Sequence, residues 1–357
     1  MTINRESQVS LDATPFYHCY VRCVRRAYLC GEDYETGENF DHRKQWLVSR
    51  LRFLSYVYAI DICAYAVMSN HYHVVLHVDK ARADEWSQHE VVERWLQLYK
   101  GHMLVDRWMT EPAALDEASL DVVHDIIEEW RERLSSISWF MRGVNEKIAR
   151  MANEEDGIKG RFWEGRFKSQ ALLDEAAVLS CMAYVDLNPV RAGMVDDLID
   201  SDFTSIQQRL FDYVKYKAIK NKDEKRLTKQ VNEQRQLKTD LDLENLPEAS
   251  LMPFDGSAHT DIHAALPFTR EDYFDLVDKT GRVIREDKRG FIQSEIPTLI
   301  SQLNINPNQW IEHIQSFSKR YAHCVGESDN ILNFAAYNNK AWCKGLSCSR
   351  QLYEGVG

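Results

Sequence analysis

His71 and His73, with only Tyr72 between them, are the residues whose types and spacing speak most directly of chemistry. The apolar run Val74, Val75, Leu76 that follows predicts a strand, and Ile62, Ala64 and Ala66 upstream predict its partner across a tight turn at Ser69-Asn70. Alternate residues of a strand share a face, so the two imidazoles point the same way. Their Cα atoms would lie about 6.5 to 7 Å apart, a span that two imidazoles close around one metal ion. His77 and Asp79 continue that face. His77 lies about 13 Å along the strand from His73, too far to join the same ion. A metal-dependent hydrolase built on His71, His73, His77 and Asp79 therefore suffers from that distance and from the lack of a visible general base.

A second segment, Glu175 to Gly193, adds a phenol and an amide. Its alanines, leucines and methionine favour helix, Asp174 and Glu175 suit the first turn, and Pro189 with Gly193 stops it. Tyr184 and Asn188 are four residues apart and present their side chains together on the last turn.

Four blocks in order carry a family likeness: Tyr65 to Leu76 (YAVMSNHYHVVL), Ser138 to Asn145 (SWFMRGVN), Gly160 to Ser169 (GRFWEGRFKS) and Tyr184 to Gly193 (YVDLNPVRAG). Together they resemble the single-tyrosine HUH transposases, and most of all the REP-associated tyrosine transposase branch, over roughly Pro15 to Val195. The resemblance implies that Tyr184 is the nucleophile. It also implies that His71, His73 and Asn188 are metal ligands, Asn188 standing where related transposases carry Gln. The activity so implied is cleavage and strand transfer of single-stranded DNA beside a hairpin through a 5′-phosphotyrosine intermediate. The other reading on the same fold is a non-catalytic regulator that binds hairpin DNA. Retention of all four residues weighs against it, because binding alone does not need them.

The chemistry of that set is self-consistent. A tyrosine hydroxyl ordinarily titrates at about pH 10, so something must favour its anion. A divalent ion on two imidazoles and an amide oxygen keeps positions open for a phosphate oxygen. Mg²⁺ prefers oxygen ligands and Mn²⁺ accepts nitrogen more readily, so either is expected. Arg161, Arg166 and Lys168, interleaved with Phe162, Trp163 and Phe167, are residue types that neutralise phosphates and stack bases. Phe162 and Phe167 read as core residues by their type. Arg22, Arg25 and Arg26 on the first strand and Arg191 in the Tyr184 block are further candidates for DNA contact.

The elements that must position these groups follow βαββαβα: a strand from Phe16, an amphipathic helix over Phe40 to Val57, the two strands around Ser69-Asn70, a helix over Ser135 to Asn153, a strand over Gly165 to Leu173, and the Tyr184 helix. This predicts an α+β, ferredoxin-like antiparallel sheet with helices on one face. The segment 84–134 interrupts it as an acidic helical insertion, with thirteen acids against five Lys or Arg. Residues 1–200 make the expected catalytic domain. Residues 201–267 form a basic helical connector and linker, and 268–357 a helical accessory domain in which Arg282, Arg285, Lys288 and Arg289 cluster.

With 357 residues and 44% apolar composition, a soluble globular protein of two domains, or one domain with large additions, is expected. No run approaches a membrane span and the N-terminal segment lacks the apolar core of a signal peptide, so a cytoplasmic, nucleoid-associated protein with reduced thiols is the expectation. His323, Cys324, Cys343 and Cys348 offer a candidate zinc site, although their spacing fits no familiar finger. Monomer and homodimer remain equally open. The net charge of −11 excludes a uniformly basic DNA-coating surface, yet 209–238 holds ten Lys or Arg against four acids. If that run is a phosphate-binding arm, neutralising Lys217, Lys220, Lys222 and Lys225 lowers the salt slope of DNA binding by roughly 0.7 to 0.9 for each phosphate left without its lysine. An unchanged slope in a potassium chloride titration would reduce the run to a solvated helix face.

Overall fold

A computed structural model describes residues 9–24, 29–31, 37–221, 246–255, 265–285, 298–340 and 342–353, with the backbone alone over 214–221. Arg25, Arg26, Lys222, Lys225, Lys288 and Arg289 lie outside these residues. The chain runs β1 (Phe16–Arg22), α1 (His42–Val57), β2 (Ile60–Val67) and β3 (His71–Val78), then four helices, α2 (Lys80–Glu85), α3 (Gln88–Leu96), α4 (Met103–Thr110) and α5 (Glu117–Leu134). After them come α6 (Ile137–Glu155), β4 (Lys168–Leu172), α7 (Glu175–Asp186), α8 (Asn188–Arg191) and α9 (Ser205–Asn221). The C-terminal elements are α10 (Arg270–Arg285), α11 (Thr298–Gln302), α12 (Pro307–Arg320), β5 (Cys324–Val325), α13 (Ser328–Tyr337) and α14 (Leu346–Tyr353).

The fold is α+β around a five-stranded sheet in the order β2-β3-β1-β4-β5. The first four strands pair antiparallel, and β5 adds to the edge of β4 in parallel. β5 corrects the expectation of a wholly antiparallel sheet and a wholly helical C-terminal region. Two residues are too few to show an alternating pattern.

Strand alternation divides the sheet into two faces. Tyr72 points to α6, where its hydroxyl donates to Asn145 Oδ1 at 2.8 Å, and α1 packs against α6 on that side. His73, one residue on, meets the ring of Tyr184 on α7. Helices therefore cover both faces rather than the single face expected. The cause is legible in α7, whose residues from Ala176 to Asp186 are all buried. A helix apolar all round must be covered on more than one side, and here the sheet covers one side and α12 the other. Asp174 caps α7 by accepting from Ala177 N at 2.8 Å, and its second oxygen accepts from Glu327 N and Asn330 Nδ2, which ties the helix start to α13. At the other end the fully buried Asp186 accepts from Ser205 Oγ, Ile206 N and Tyr273 OH.

The acidic insertion is helical, and Trp95 stacks on Trp130 with ring centroids 5.2 Å apart. One cluster of buried side chains joins sheet residues such as Tyr17 and Leu76 to C-terminal residues such as Trp310 and Phe317. The stretch read as a linker contributes Leu251, Met252 and Phe254 to it, and Met252 N donates to Ile62 O at 2.9 Å. Arg209, the first cation of the basic run, is buried and donates to the carbonyls of Cys63 and Met252. Lys217 and Lys220 fall on the helical backbone of α9. Among the described residues, no disulfide forms and no helix is long and apolar enough to cross a membrane.

α12 begins with Pro307 after Asn306, whose side chain accepts from Asn308 N, and buries Trp310, His313, Ile314 and Phe317 on one face. Among the described residues, neither ring nitrogen of His313 has a hydrogen-bond partner. Burial, with Arg320 nearby, holds its imidazole down at about 3. An unfolded His titrates at about 6.5. Because the folded value is depressed, the neutral ring's contribution is complete above about pH 6.5 and is lost as pH falls below it. Between pH 6.5 and 5 the loss should be about 2 kcal/mol relative to His313→Leu. Denaturant unfolding of both proteins at the two pH values checks this. A stability difference independent of pH would contradict it.

Candidate active site

Three strands, β1, β3 and β4, and two helices, α7 and α8, build the site. Along the register, Arg22 faces His71 and Tyr20 faces His73 on β1 and β3, while Tyr20 faces Lys168 and His18 faces Gln170 on β1 and β4. Residues directly opposite in an antiparallel pair share a face. His18, Tyr20, Arg22, His71, His73, Lys168 and Gln170 thus form one polar face, and the intervening Tyr17, Cys19, Val21, Tyr72 and Val74 are buried.

The imidazoles of His71 and His73 lie with ring centroids 5.1 Å apart at 84°. Tyr184 closes on His73 edge-on at 5.6 Å and on His18 at 6.1 Å. Nδ1 of His71 is within 2.7 Å of Asn70 Oδ1, and Nδ1 of His73 within 2.8 Å of His18 Nε2. An amide oxygen only accepts, so His71 carries its proton on Nδ1 and keeps the lone pair on Nε2. Burial, with Arg22 beside it, lowers His71 to about 4. Burial, then His18, His71 and Arg191, keeps His73 well below its usual value. Neutral imidazoles are the form that ligates metal.

Asn188 opens α8, directly after α7, and is buried. Its Oδ1 accepts from Arg191 Nη1 at 3.0 Å, and its Nδ2 is buried without a partner among the described residues. The guanidinium of Arg191 lies 4.5 Å from the centre of the Tyr184 ring and donates to Gln315 O at 3.0 Å. The expected DNA contact Arg191 is therefore engaged at the site itself.

Two imidazoles and an amide oxygen would suit a divalent ion, Mn²⁺ accepting the nitrogens more readily and Mg²⁺ preferring the oxygen. The Asn188 oxygen has a second lone pair beyond the one given to Arg191. Its Nδ2, without a partner among the described residues, is a donor and would meet an acceptor such as a phosphate oxygen rather than the ion. No group of three or more His, Cys, Asp or Glu poised for a metal occurs among the described residues, so the Asn188 amide would have to complete the set. His323, Cys324, Cys343 and Cys348 do not gather into such a group either.

His77 and Asp79 have other work. His77 Nδ1 lies 3.2 Å from Asp61 Oδ2 on the neighbouring strand, and Asp79 caps α2 by accepting from Arg82 N. Arg22, Arg161, Arg166 and Lys168 are exposed, while Phe162, Trp163 and Phe167 are buried and so stack no bases. Glu164 N donates to Arg22 O and Cys23 bridges to Trp163, which brings the loop of Arg161 and Arg166 alongside the end of β1. Lys168 Nζ sits 5.6 Å from the Tyr20 ring. Sequence reasoning missed His18, Gln170 and Phe317. The polar phase of β1, opposite the alternating Tyr17, Cys19 and Val21, was the available signal for His18. None existed for Phe317.

Phe317 of α12 stacks on Tyr184 with centroids 4.7 Å apart at 22°, and Tyr184 is only 4% exposed. Among solved structures, one described as the REP-associated tyrosine transposase bound to a REP hairpin is similar over 58% of this chain and 84% of its own, at 15% identity and a TM-score of 0.34. No family model matches the sequence, and no curated protein does.

Removing the Phe317 ring should raise the reactivity of Tyr184 toward N-acetylimidazole several-fold while costing about 3 kcal/mol of stability. Peptide mass spectrometry of acylated wild type and Phe317→Ala, with a parallel melting curve, reads both. Equal acylation of Tyr184 in the two proteins would show that another element covers it.

Proposed function

We propose that this protein cleaves and rejoins single-stranded DNA at or near a hairpin, with Tyr184 as the nucleophile. The observation that carries this reading is the convergence of Tyr184 on His73, and of His73 on His71, from a helix and a strand far apart in the chain. The antiparallel order β2-β3-β1-β4, with α1 and α6 on one face, supports reading the first part of the chain as ferredoxin-like. Three of the four sequence blocks, Tyr65 to Leu76, Gly160 to Ser169 and Tyr184 to Gly193, reach the elements that make this site, and Ser138 to Asn145 lies on α6 across the sheet.

In the proposed step the Tyr184 oxygen bonds to a backbone phosphorus and the bond from phosphorus to the 3′-oxygen breaks. The phenol loses its proton, the departing 3′-oxygen gains one, and the 5′-phosphate stays on the tyrosine. One phosphodiester replaces another, so the reverse step rejoins strands without an energy-rich cofactor. A divalent ion held by His71, His73 and Asn188 would supply Lewis acidity at a non-bridging phosphate oxygen. Arg191, against the Tyr184 ring, is placed to meet the incoming phosphate. Arg22, Arg161, Arg166 and Lys168 form an exposed cationic rim beside the site, suited to hold the DNA backbone. Cleavage requires α12 to give way, since Phe317 occupies the face of Tyr184.

That cover is also the observation favouring the second reading, a hairpin-binding regulator whose tyrosine stays closed. Tyr184→Phe separates the two. The variant should bind labelled hairpin DNA as wild type does and form no covalent adduct on denaturing electrophoresis, because only the nucleophilic oxygen is gone. His71→Ala or His73→Ala should abolish cleavage, Asn188→Ala should weaken it less, and EDTA should mimic the histidine variants. An adduct persisting in Tyr184→Phe would move the nucleophile elsewhere, and wild-type binding without any adduct would leave the regulator.

A further inference from the structure

We propose that Gln170 and His18 are positioning residues that set the tautomer of His73, so that its Nε2 carries the lone pair available to a metal ion. The inference rests on the reading of His73 as a ligand. The three side chains form a line across the sheet: Gln170 on β4, His18 on β1 and His73 on β3. Gln170 Oε1 lies 2.7 Å from His18 Nδ1, and His18 Nε2 lies 2.8 Å from His73 Nδ1. All three are almost fully buried, His18 at 2% and Gln170 at 3% exposure. The rings around His18 belong to Tyr20, His73, Tyr184 and Phe317, which offer no countercharge, so a neutral imidazole is the form that burial tolerates.

The logic of donors and acceptors then runs one way. The Gln170 oxygen only accepts, so the single proton of neutral His18 sits on Nδ1. His18 Nε2 is left as an acceptor, and His73 Nδ1 must donate to it. The one proton of His73 is thereby fixed on Nδ1, and Nε2 is bare. Asn70 imposes the same tautomer on His71 through a single bond, whereas His73 receives it through a relay of two. Partners of this kind on the second nitrogen of a ligating histidine fix its orientation and raise its basicity, and their loss typically costs 10- to 100-fold in metal affinity.

The test uses the full-length, metal-free protein labelled with ¹⁵N-histidine. Long-range ¹H–¹⁵N correlation spectra, assigned with His18→Gln and His73→Ala, report which nitrogen of each ring is protonated. The expected result is His18 and His73 both protonated at Nδ1. A His73 protonated at Nε2 in the wild type overturns the proposal whatever the variants do. Gln170→Leu removes the acceptor and should release His18, give His73 a mixed tautomer population, and weaken Mn²⁺ binding by roughly 10-fold or more in calorimetry. Unchanged tautomers in Gln170→Leu would reduce the pair to packing. Failure of the underlying reading looks different: Mn²⁺ affinity would then be the same in His73→Ala as in the wild type.

Discussion

A helix that is apolar on every side cannot lie on a surface, and α7 is such a helix. From Ala176 to Asp186 every residue is buried, and on ordinary scales each large aliphatic side chain left in water would cost about 1.5 to 3 kcal/mol. The sheet can cover only one side. The other must be closed by chain from elsewhere, and α12 does it with Ile314 and Phe317 at its core-facing positions. Because Tyr184 rides on α7, the same cover that stabilises the helix seals the tyrosine. Stability and access at this site are therefore set by one packing interface.

The sheet beneath makes the complementary demand. Its face toward α7 is polar along β1, β3 and β4, with histidines, a tyrosine and a glutamine where an ordinary core would place aliphatic groups. Buried polar groups have to find partners, and these do so mainly with one another: Asn70 with His71, and Gln170 with His18 and then His73. The stacking of Phe317 on Tyr184 and the guanidinium of Arg191 over the same ring close the top. The Nδ2 of Asn188, beside Arg191, is left without a partner among the described residues. Such a residue is a natural place for an incoming ligand or substrate to act.

Much of this architecture is legible in the sequence itself. The alternation of β1, the turn at Ser69-Asn70 and the helical period through Ile137 and Val144 place the strands and α6 where the structure has them. The His71/His73 spacing implies a shared face, and the i, i+4 relation of Tyr184 and Asn188 implies a common helix end, although Asn188 in fact starts the short α8 after a break at Leu187. Depth is what periodicity does not reveal. Treating α7 as a one-sided helix hides the second layer, even though its composition has no polar face to give to solvent. The sequence of 247–267, rich in turn formers, looks loose because its buried apolar residues, Leu251, Met252, Phe254 and Leu266 among those described, have no period to detect. His18 and Gln170 are singletons, and only the strand register makes them neighbours.

The central claim is that Tyr184 forms a covalent bond to DNA. Its most direct test is to incubate the wild-type protein with a single-stranded hairpin oligonucleotide and Mn²⁺, digest the complex with nuclease and protease, and locate the nucleotide by mass spectrometry. The account predicts a peptide spanning Tyr184 that carries a nucleotide through a 5′-phosphate on the tyrosine oxygen. A nucleotide on Tyr20 or Tyr72, or cleaved DNA with free 5′ ends and no modified tyrosine, would contradict it.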